Sequence, residues 1–142
     1  MSCTLGRIKS EMSFNRITAL PQHACVEAII DGYEDWDSAT DTIVEMTEMA
    51  EAHNWHRILI DFTRVNLRVA LVEAPEVAKF FDSFVTSTKT VGVVLPSDEH
   101  DAAVIGAFAN ALYELGHLIT FLRNPMDRQA WLDNHGKRVV NG

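Results

Sequence analysis

Two rhythms of apolar residues alternate along the chain. Arg57-Ile58-Leu59-Ile60-Asp61-Phe62 is a short, nearly unbroken apolar run, and Thr90 to Leu95 (Thr-Val-Gly-Val-Val-Leu) is another. Runs of that length, rich in β-branched residues, read as strands buried in a sheet. Between them the period lengthens. Trp36, Ala39, Ile43, Met46 or Thr47, and Ala50 recur at three- and four-residue spacing and predict a helix over 36–53. Asp35 or Asp37 can cap its first amides and Asn54 can stop it. A second helix is predicted over 71–85, with Pro75 in its first turn and a stripe of Leu71, Ala74, Val77 or Ala78, Phe81 and Phe84. A third runs from a Ser97 cap to Leu115, with Val104 or Ile105, Phe108, Leu112 and Leu115 inward and Gly116 as its stop. A last helix spans 126–134, with Ala130 and Trp131 inward and Met126 as a further candidate.

The remaining strands are weaker signals. Ser13 to Ala19 and Ala24 to Asp31 read as an antiparallel hairpin across the turn Leu20-Pro21-Gln22-His23. In the second of them Val26, Ala28 and Ile30 point one way, and Cys25, Glu27 and Ile29 the other. Gly32 to Asp35 reads as a loop. After Phe62, the alternation of Val65, Leu67 and Val69 predicts either a short extra strand or an apolar loop over the end of the sheet. Leu118 to Leu122 is the last strand. The order is ββαβαβαβα, an α/β class with a mixed, mainly parallel sheet that opens on an antiparallel hairpin. The expectation is a single domain over 13–136, between flanking segments 1–12 and 137–142.

Composition narrows the partners. The chain has 142 residues, 47% hydrophobic and 23% charged, with a formal net charge of -8. That balance argues against a nucleic-acid partner, whose phosphates require clustered Lys and Arg. The acidity is local: Glu27 to Glu51 holds nine Asp or Glu and no Lys or Arg. Two cysteines, Cys3 and Cys25, lack any paired spacing, and no stretch approaches the ~20 apolar residues of a membrane span. A cytoplasmic setting with free thiols is the expectation, with peripheral membrane contact left open.

Few residues point to chemistry. His53 and His56, and His100 beside Asp98, Glu99 and Asp101, lack the further ligands of a metal site and read as helix-end residues. No nucleophile elbow and no glycine-rich phosphate loop follows any strand. Asp31 and Asp61 both fall at strand ends; a catalytic pair there competes with simple pairing to Arg64 or Arg68. No cofactor is implied. The apolar surplus is more informative. Val65, Leu67, Val69, Leu71, Val72, Phe80, Phe81, Phe84 and Val85 crowd one loop-helix unit, with Arg64, Arg68, Lys79 and Lys89 interleaved. Such a unit can pack as core and dimer contact, line a greasy pocket, or lie on a membrane.

The strands at 57–62 and 91–95, and above all Leu118-Ile-Thr-Phe-Leu-Arg-Asn-Pro-Met-Asp-Arg-Gln-Ala-Trp-Leu132, resemble the small bacterial SpoIIAA-like proteins of the STAS/SEC14 group. In these a final strand leads into a short helix with an Ala-Trp-Leu signature, here Ala130-Trp131-Leu132. The resemblance covers about 13–136. It implies a βα superhelical core and a kinship with two kinds of binding domain. Anti-sigma-factor antagonists carry an Asp-Ser pair after the central strand; here 61–70 holds no serine, and Thr63 is its only hydroxyl. SEC14 or CRAL-TRIO domains carry hydrophobic ligands. The first expectation is therefore a non-enzymatic domain that binds a lipid-like small molecule or a membrane surface through Leu67, Leu71, Phe80, Phe81, Phe84 and Val85, with Arg64, Arg68 and Lys79 at the rim. A protein-interaction module without the switch serine is the alternative, an enzyme using Asp31 and Asp61 ranks last, and a homodimer is expected.

Overall fold

The computed structural model describes residues 15–141, with side chains through residue 133. Residues 1–14, including Cys3 and the start of the first expected strand, lie outside the described residues. Five strands form one sheet in sequential order: β1 (Arg16–Leu20), β2 (Cys25–Glu34), β3 (Arg57–Leu67), β4 (Thr90–Val94) and β5 (Leu118–Leu122). β1 pairs antiparallel with β2, and all other pairs are parallel. The helices are α1 (Trp36–His53), α2 (Ala74–Ser83), α3 (Glu99–Glu114) and α4 (Pro125–Asn141). The expected α/β class and element order hold, and Arg57–Phe62 does lie in the middle strand.

Sequential order has a consequence for the faces. Right-handed crossovers between strands laid down in order carry every crossover helix to the same side. The buried residues agree. Val26, Ala28, Ile30, Ile58, Ile60, Val91 and Val93 form one core with Ile43 and Met46 of α1, Phe81 of α2, and Phe108 and Leu112 of α3. The opposite face has a smaller core of Cys25, Leu59, Val94 and Leu122, closed by Trp131 and Leu132 of α4. Burial there pushes the Cys25 thiol up to about 12, so it packs as a neutral hydrophobe.

α4 docks through one aromatic and one cation. The Arg57 guanidinium lies 4.4 Å over the Trp131 ring. Its Nη2 donates to the Trp131 carbonyl at 2.7 Å, and its Nη1 to the carbonyls of His23 at 2.8 Å and Leu132 at 3.3 Å. Arg128 of the same helix pairs with Glu27 on the sheet. The close approach of Trp131 depends on Gly92. A Cβ there would stand 3.2 Å from Leu59 Cδ1, Leu122 Cδ1 and Trp131 Cδ2. Gly92→Val is expected to cost about 1–3 kcal/mol through overpacking. The check is a lower urea midpoint at unchanged slope; an unaltered midpoint would mean that α4 adjusts freely.

Several local expectations are corrected. Gly32–Glu34 is strand, not loop. The second helix begins later, after a 3-10 turn at Leu71–Glu73, and ends at Ser83. Its stripe is Ala74, Val77, Ala78 and Phe81, while Leu71 and Phe84 are exposed. Leu71 lies in the turn before the helix and Phe84 stands just past its last residue, so neither belongs to the buried stripe. The third helix is capped by Asp98, whose side chain accepts from the Asp101 amide, rather than by Ser97, and Leu115 is exposed at its end. α4 continues to Asn141; Leu132 packs inward with Trp131, while Ala130 and Met126 are exposed.

The amino end of the sheet is tied by buried polar groups. Lys89, 1% exposed, pairs with Glu51 of α1 at 2.7 Å and donates to the Trp55 carbonyl at 3.1 Å. Its own amide donates to His117 Nδ1 at 2.9 Å, which leaves the proton on Nε2, facing Asp82 of α2 at 2.8 Å. These groups join both helix ends to the starts of β4 and β5, away from the strand ends where α/β sheets keep their ligands.

Candidate functional site

At the carboxyl end β2 and β3 outrun the other strands and continue as a two-stranded ribbon, pairing Asp31 with Arg64, Tyr33 with Asn66 and Glu34 with Leu67. Between Ile29/Asp61 and Asp31/Arg64 the register advances two residues on β2 and three on β3. The extra residue is a β-bulge, and it changes which positions of β3 face the helices. Before it these are Ile58, Ile60 and Phe62; after it, Val65 and Leu67. β2 keeps its parity, so Glu34 falls on the same side as Val26, Ala28 and Ile30. Gly32, at φ 93, supplies the left-handed backbone in the ribbon that a side chain would strain.

Beneath the ribbon is a hollow of about 50 Å³. Ile30, Ile60 and Phe62 form its floor, Ile43 and Met46 of α1 one wall, Ala74 and Val77 of α2 a second, and Val104, Ile105 and Phe108 of α3 a third. Leu67 and Val69 close it from the ribbon. The same two residues line an adjoining open cleft of about 480 Å³ with Asn66, Arg68, Ala70, Asp98, His100 and Asp101. The two spaces thus share Leu67 and Val69 in their linings. The backbone tie at that shared lining is a long one, from the Leu67 amide to Asp101 Oδ2 at 3.4 Å.

One ionisable side chain, Glu34, belongs to the lining of the hollow, and it is 4% exposed. Its Oε1 accepts from Asn15 Nδ2 and from the Ser38 hydroxyl, both at 2.9 Å. Ser38 is placed by the capping box of α1: its amide donates to Asp35 Oδ1, and its hydroxyl accepts from the Asp35 amide. Asn15 is placed in turn by the Asp31 amide, which donates to its Oδ1 at 3.0 Å, and by Thr42. Burial pushes the Glu34 carboxyl above its ordinary value, the two hydrogen bonds oppose the shift, and Asp35 and Asp41 add to it.

The residues expected to form the site are split between two ends of the fold. Leu67 lines the hollow. Phe81 is wholly buried lower in α2, edge-on to Phe108 and His117 at centroid distances of 6.5 and 5.6 Å. Phe80 and Phe84 pack edge to face at 4.8 Å near the far end of α2, beside Val85. Leu71 and Val72 project outward beside the cleft, 51% and 80% exposed. Arg68 lines the cleft and its amide donates to the Glu34 carbonyl at 2.7 Å. Arg64 pairs with Asp31 at 3.1 Å, and Lys79 with Glu76 at 3.4 Å.

Glu34 and the α3 wall were missed, and Val69, named in the apolar surplus, was not among the residues expected to carry the site. Even-numbered apolar positions at 26, 28 and 30 already pointed to an inward Glu34, had the strand been extended through Gly32. Asp31 and Asp61 do not form a pair. Asp31 is held by Arg64, and Asp61 accepts from the Thr63 amide at 2.9 Å and lies 4.0 Å from Arg128. His53 stacks on Trp55 at 4.2 Å, and His56 meets Ser87 at 3.1 Å. Among the described residues no cluster of three or more His, Cys, Asp or Glu is placed to hold a metal ion, and no helix is long and apolar enough to cross a membrane. No model of a protein family, no curated protein and no solved structure matches the chain.

Proposed function

We propose that this chain is a non-enzymatic binding domain that holds a small hydrophobic molecule at the carboxyl end of its sheet. One observation supports the reading: an apolar hollow lies under the ribbon and shares Leu67 and Val69 with the lining of an open cleft. At about 50 Å³ the hollow alone is smaller than the roughly 300–1,000 Å³ of ordinary ligand sites. The adjoining cleft, at about 480 Å³, is already in that range, and rotation of those two side chains would add the hollow to it. The sequential strand order and the three crossover helices on one face support reading the fold as SpoIIAA-like, and the hollow favours the hydrophobic-ligand branch of that resemblance. Exposed Leu71 and Val72, beside Arg68 at the cleft, favour contact with a membrane surface during ligand exchange.

Two measurements test the reading. Native mass spectrometry of the purified protein is expected to show a co-purified small molecule, and a medium-chain fatty alcohol is expected to shift the methyl resonances of Val69, Val77 and Ile105. Flotation with anionic liposomes is expected to recover the wild type and lose Leu71→Ser/Val72→Ser. A protein with nothing bound and with unshifted methyls would refute hydrophobic binding, and equal flotation of both proteins would refute the membrane contact.

A further inference from the structure

β5 stands at one end of the sheet and pairs with β4 alone among the described residues. An open edge is a template for further pairing, and chains usually blunt it with Lys, Pro or a bulge. β5 has none of these. Leu118-Ile119-Thr120-Phe121-Leu122 follows β4 in unbroken register, and no Asp, Glu, Lys, Arg or Pro occurs from Leu115 to Leu122. The edge is also apolar. Leu118 is 56% and Phe121 44% exposed, and exposed Tyr113 and Leu115 precede the strand.

Hydrogen-bond parity says what fits this edge. The Leu118 amide donates to the Lys89 carbonyl at 2.9 Å, so residues 118, 120 and 122 turn their backbone groups toward β4. Ile119 and Phe121 therefore turn theirs outward. The flanking amides are engaged: that of His117 donates to the Leu112 carbonyl at 3.1 Å, and that of Arg123 to Asp127 Oδ2 at 3.2 Å. Residues 119 and 121 are left as the open pair. An antiparallel strand centred opposite Thr120 meets both, and β5 is its own complement in that register. A second β5 sets Ile119 opposite Phe121, Leu118 opposite Leu122, and Thr120 opposite itself. Twofold registers centred on Ile119 or Phe121 would instead match an open residue with the engaged His117 or Arg123.

Charge favours the same occupant. A formal net charge of -8 opposes self-association wherever acidic groups meet. The strand itself is free of them, and its two ends differ in sign, with exposed Glu114 before it and exposed Arg123 after it. Antiparallel pairing turns each Arg123 toward Glu114 of the other copy. The same patch serves both copies, so the assembly closes at two.

We propose that two copies of this chain pair antiparallel through β5, joining their sheets into one across a twofold axis at Thr120. The proposal is independent of the hollow, which lies under the ribbon of β2 and β3. Sedimentation of the purified chain is expected to give a mass twice the 15.9 kDa of one copy. Hydrogen exchange should be slow at the Ile119 and Phe121 amides, a readout that needs no variant to fold. Phe121→Lys puts a guarding charge on the edge; it is expected to weaken the dimer at least tenfold and to leave the far-UV circular dichroism unchanged. Thr120→Cys, in a Cys3→Ser background, should crosslink into a dimer under mild oxidant, because directly opposed residues of a non-hydrogen-bonded pair lie about 4.5 Å apart at Cα. Leu118→Cys in the same background, opposite Leu122, should not. A wild type that is monomeric at every concentration reached, a Phe121→Lys dimer as tight as the wild type, or a Thr120→Cys variant that does not crosslink would overturn the proposal. A monomer with slow exchange at both amides would overturn it in favour of another segment of the same chain on the edge.

Discussion

Trp131→Ala is expected to be the most damaging single substitution on the α4 face, costing about 3–5 kcal/mol. For a chain of this size that corresponds to a fall in melting temperature of about 10–20 °C. The ring fills the only described core on its side of the sheet, with Cys25, Leu59, Val94 and Leu122, and the Arg57 guanidinium lies over it. Removing it leaves a cavity that Gly92 cannot fill and takes the aromatic face from a buried cation. Trp131→Phe keeps the face and most of the volume, and should lose less than half as much. Thermal unfolding of the two variants checks both numbers. A loss below about 1 kcal/mol for the alanine variant would mean that α4 is held by its backbone contacts to Arg57 instead.

Glu51→Ala comes next, at about 3 kcal/mol. Breaking a buried pair by removing one partner costs more than the pair is worth, because the other charge stays behind. Here the Lys89 ammonium would remain 1% exposed with the Trp55 carbonyl at 3.1 Å as its surviving partner. Glu51 is itself partly exposed, which places the figure at the low end. The double variant Glu51→Leu/Lys89→Met, with neither charge, should recover most of the loss. Acid should act on the wild type as the substitution does. The Lys89 and Thr86 hydrogen bonds hold the Glu51 carboxyl below its ordinary 4.5. Its contribution is complete above 4.5 and is lost as pH falls through the depressed value. The gap between wild type and Glu51→Ala should therefore close at the acid end, in urea titrations run across pH. A gap that persists to the lowest pH would place the effect in packing rather than charge.

The elements that were legible in the sequence share a property. Both ends of α1 were read, because its apolar period, Asp35 and Asn54 are local signals and its ends are set by backbone hydrogen bonding within a few residues, although Trp36, expected on its buried face, is exposed at its first position. β4, β5 and the middle strand were legible for the same reason. α2 was misplaced at both ends. Leu71 and Phe84 continue its apolar period, but the 3-10 turn and Phe81, locked against Phe108 and His117, decide its rotation. Periodicity does not distinguish a side chain that meets a partner helix from one that stands past the end of it.

The candidate site shows the same division. The apolar surplus at 65–85 directed attention to the right unit but treated it as one surface. α2 runs from one end of the sheet to the other, so Leu67 and the pair Phe80/Phe84 serve different places. The change of parity from Phe62 to Val65 is a bulge signature in the sequence, yet only pairing with β2 shows which residue is the extra one.

The sequence by itself determined an α/β order of elements, the identity of its middle strand and the acidity around α1, because each follows from local period, local capping or composition. The tertiary structure decided the rest. Sequential strand order put three helices on one face and left the other to Trp131. A one-residue register shift brought Leu67 beside Glu34, and a buried Lys89 found Glu51 on a distant helix end. Those outcomes depend on which segments meet, and that is fixed by long-range pairing and packing rather than by the residues next to each position.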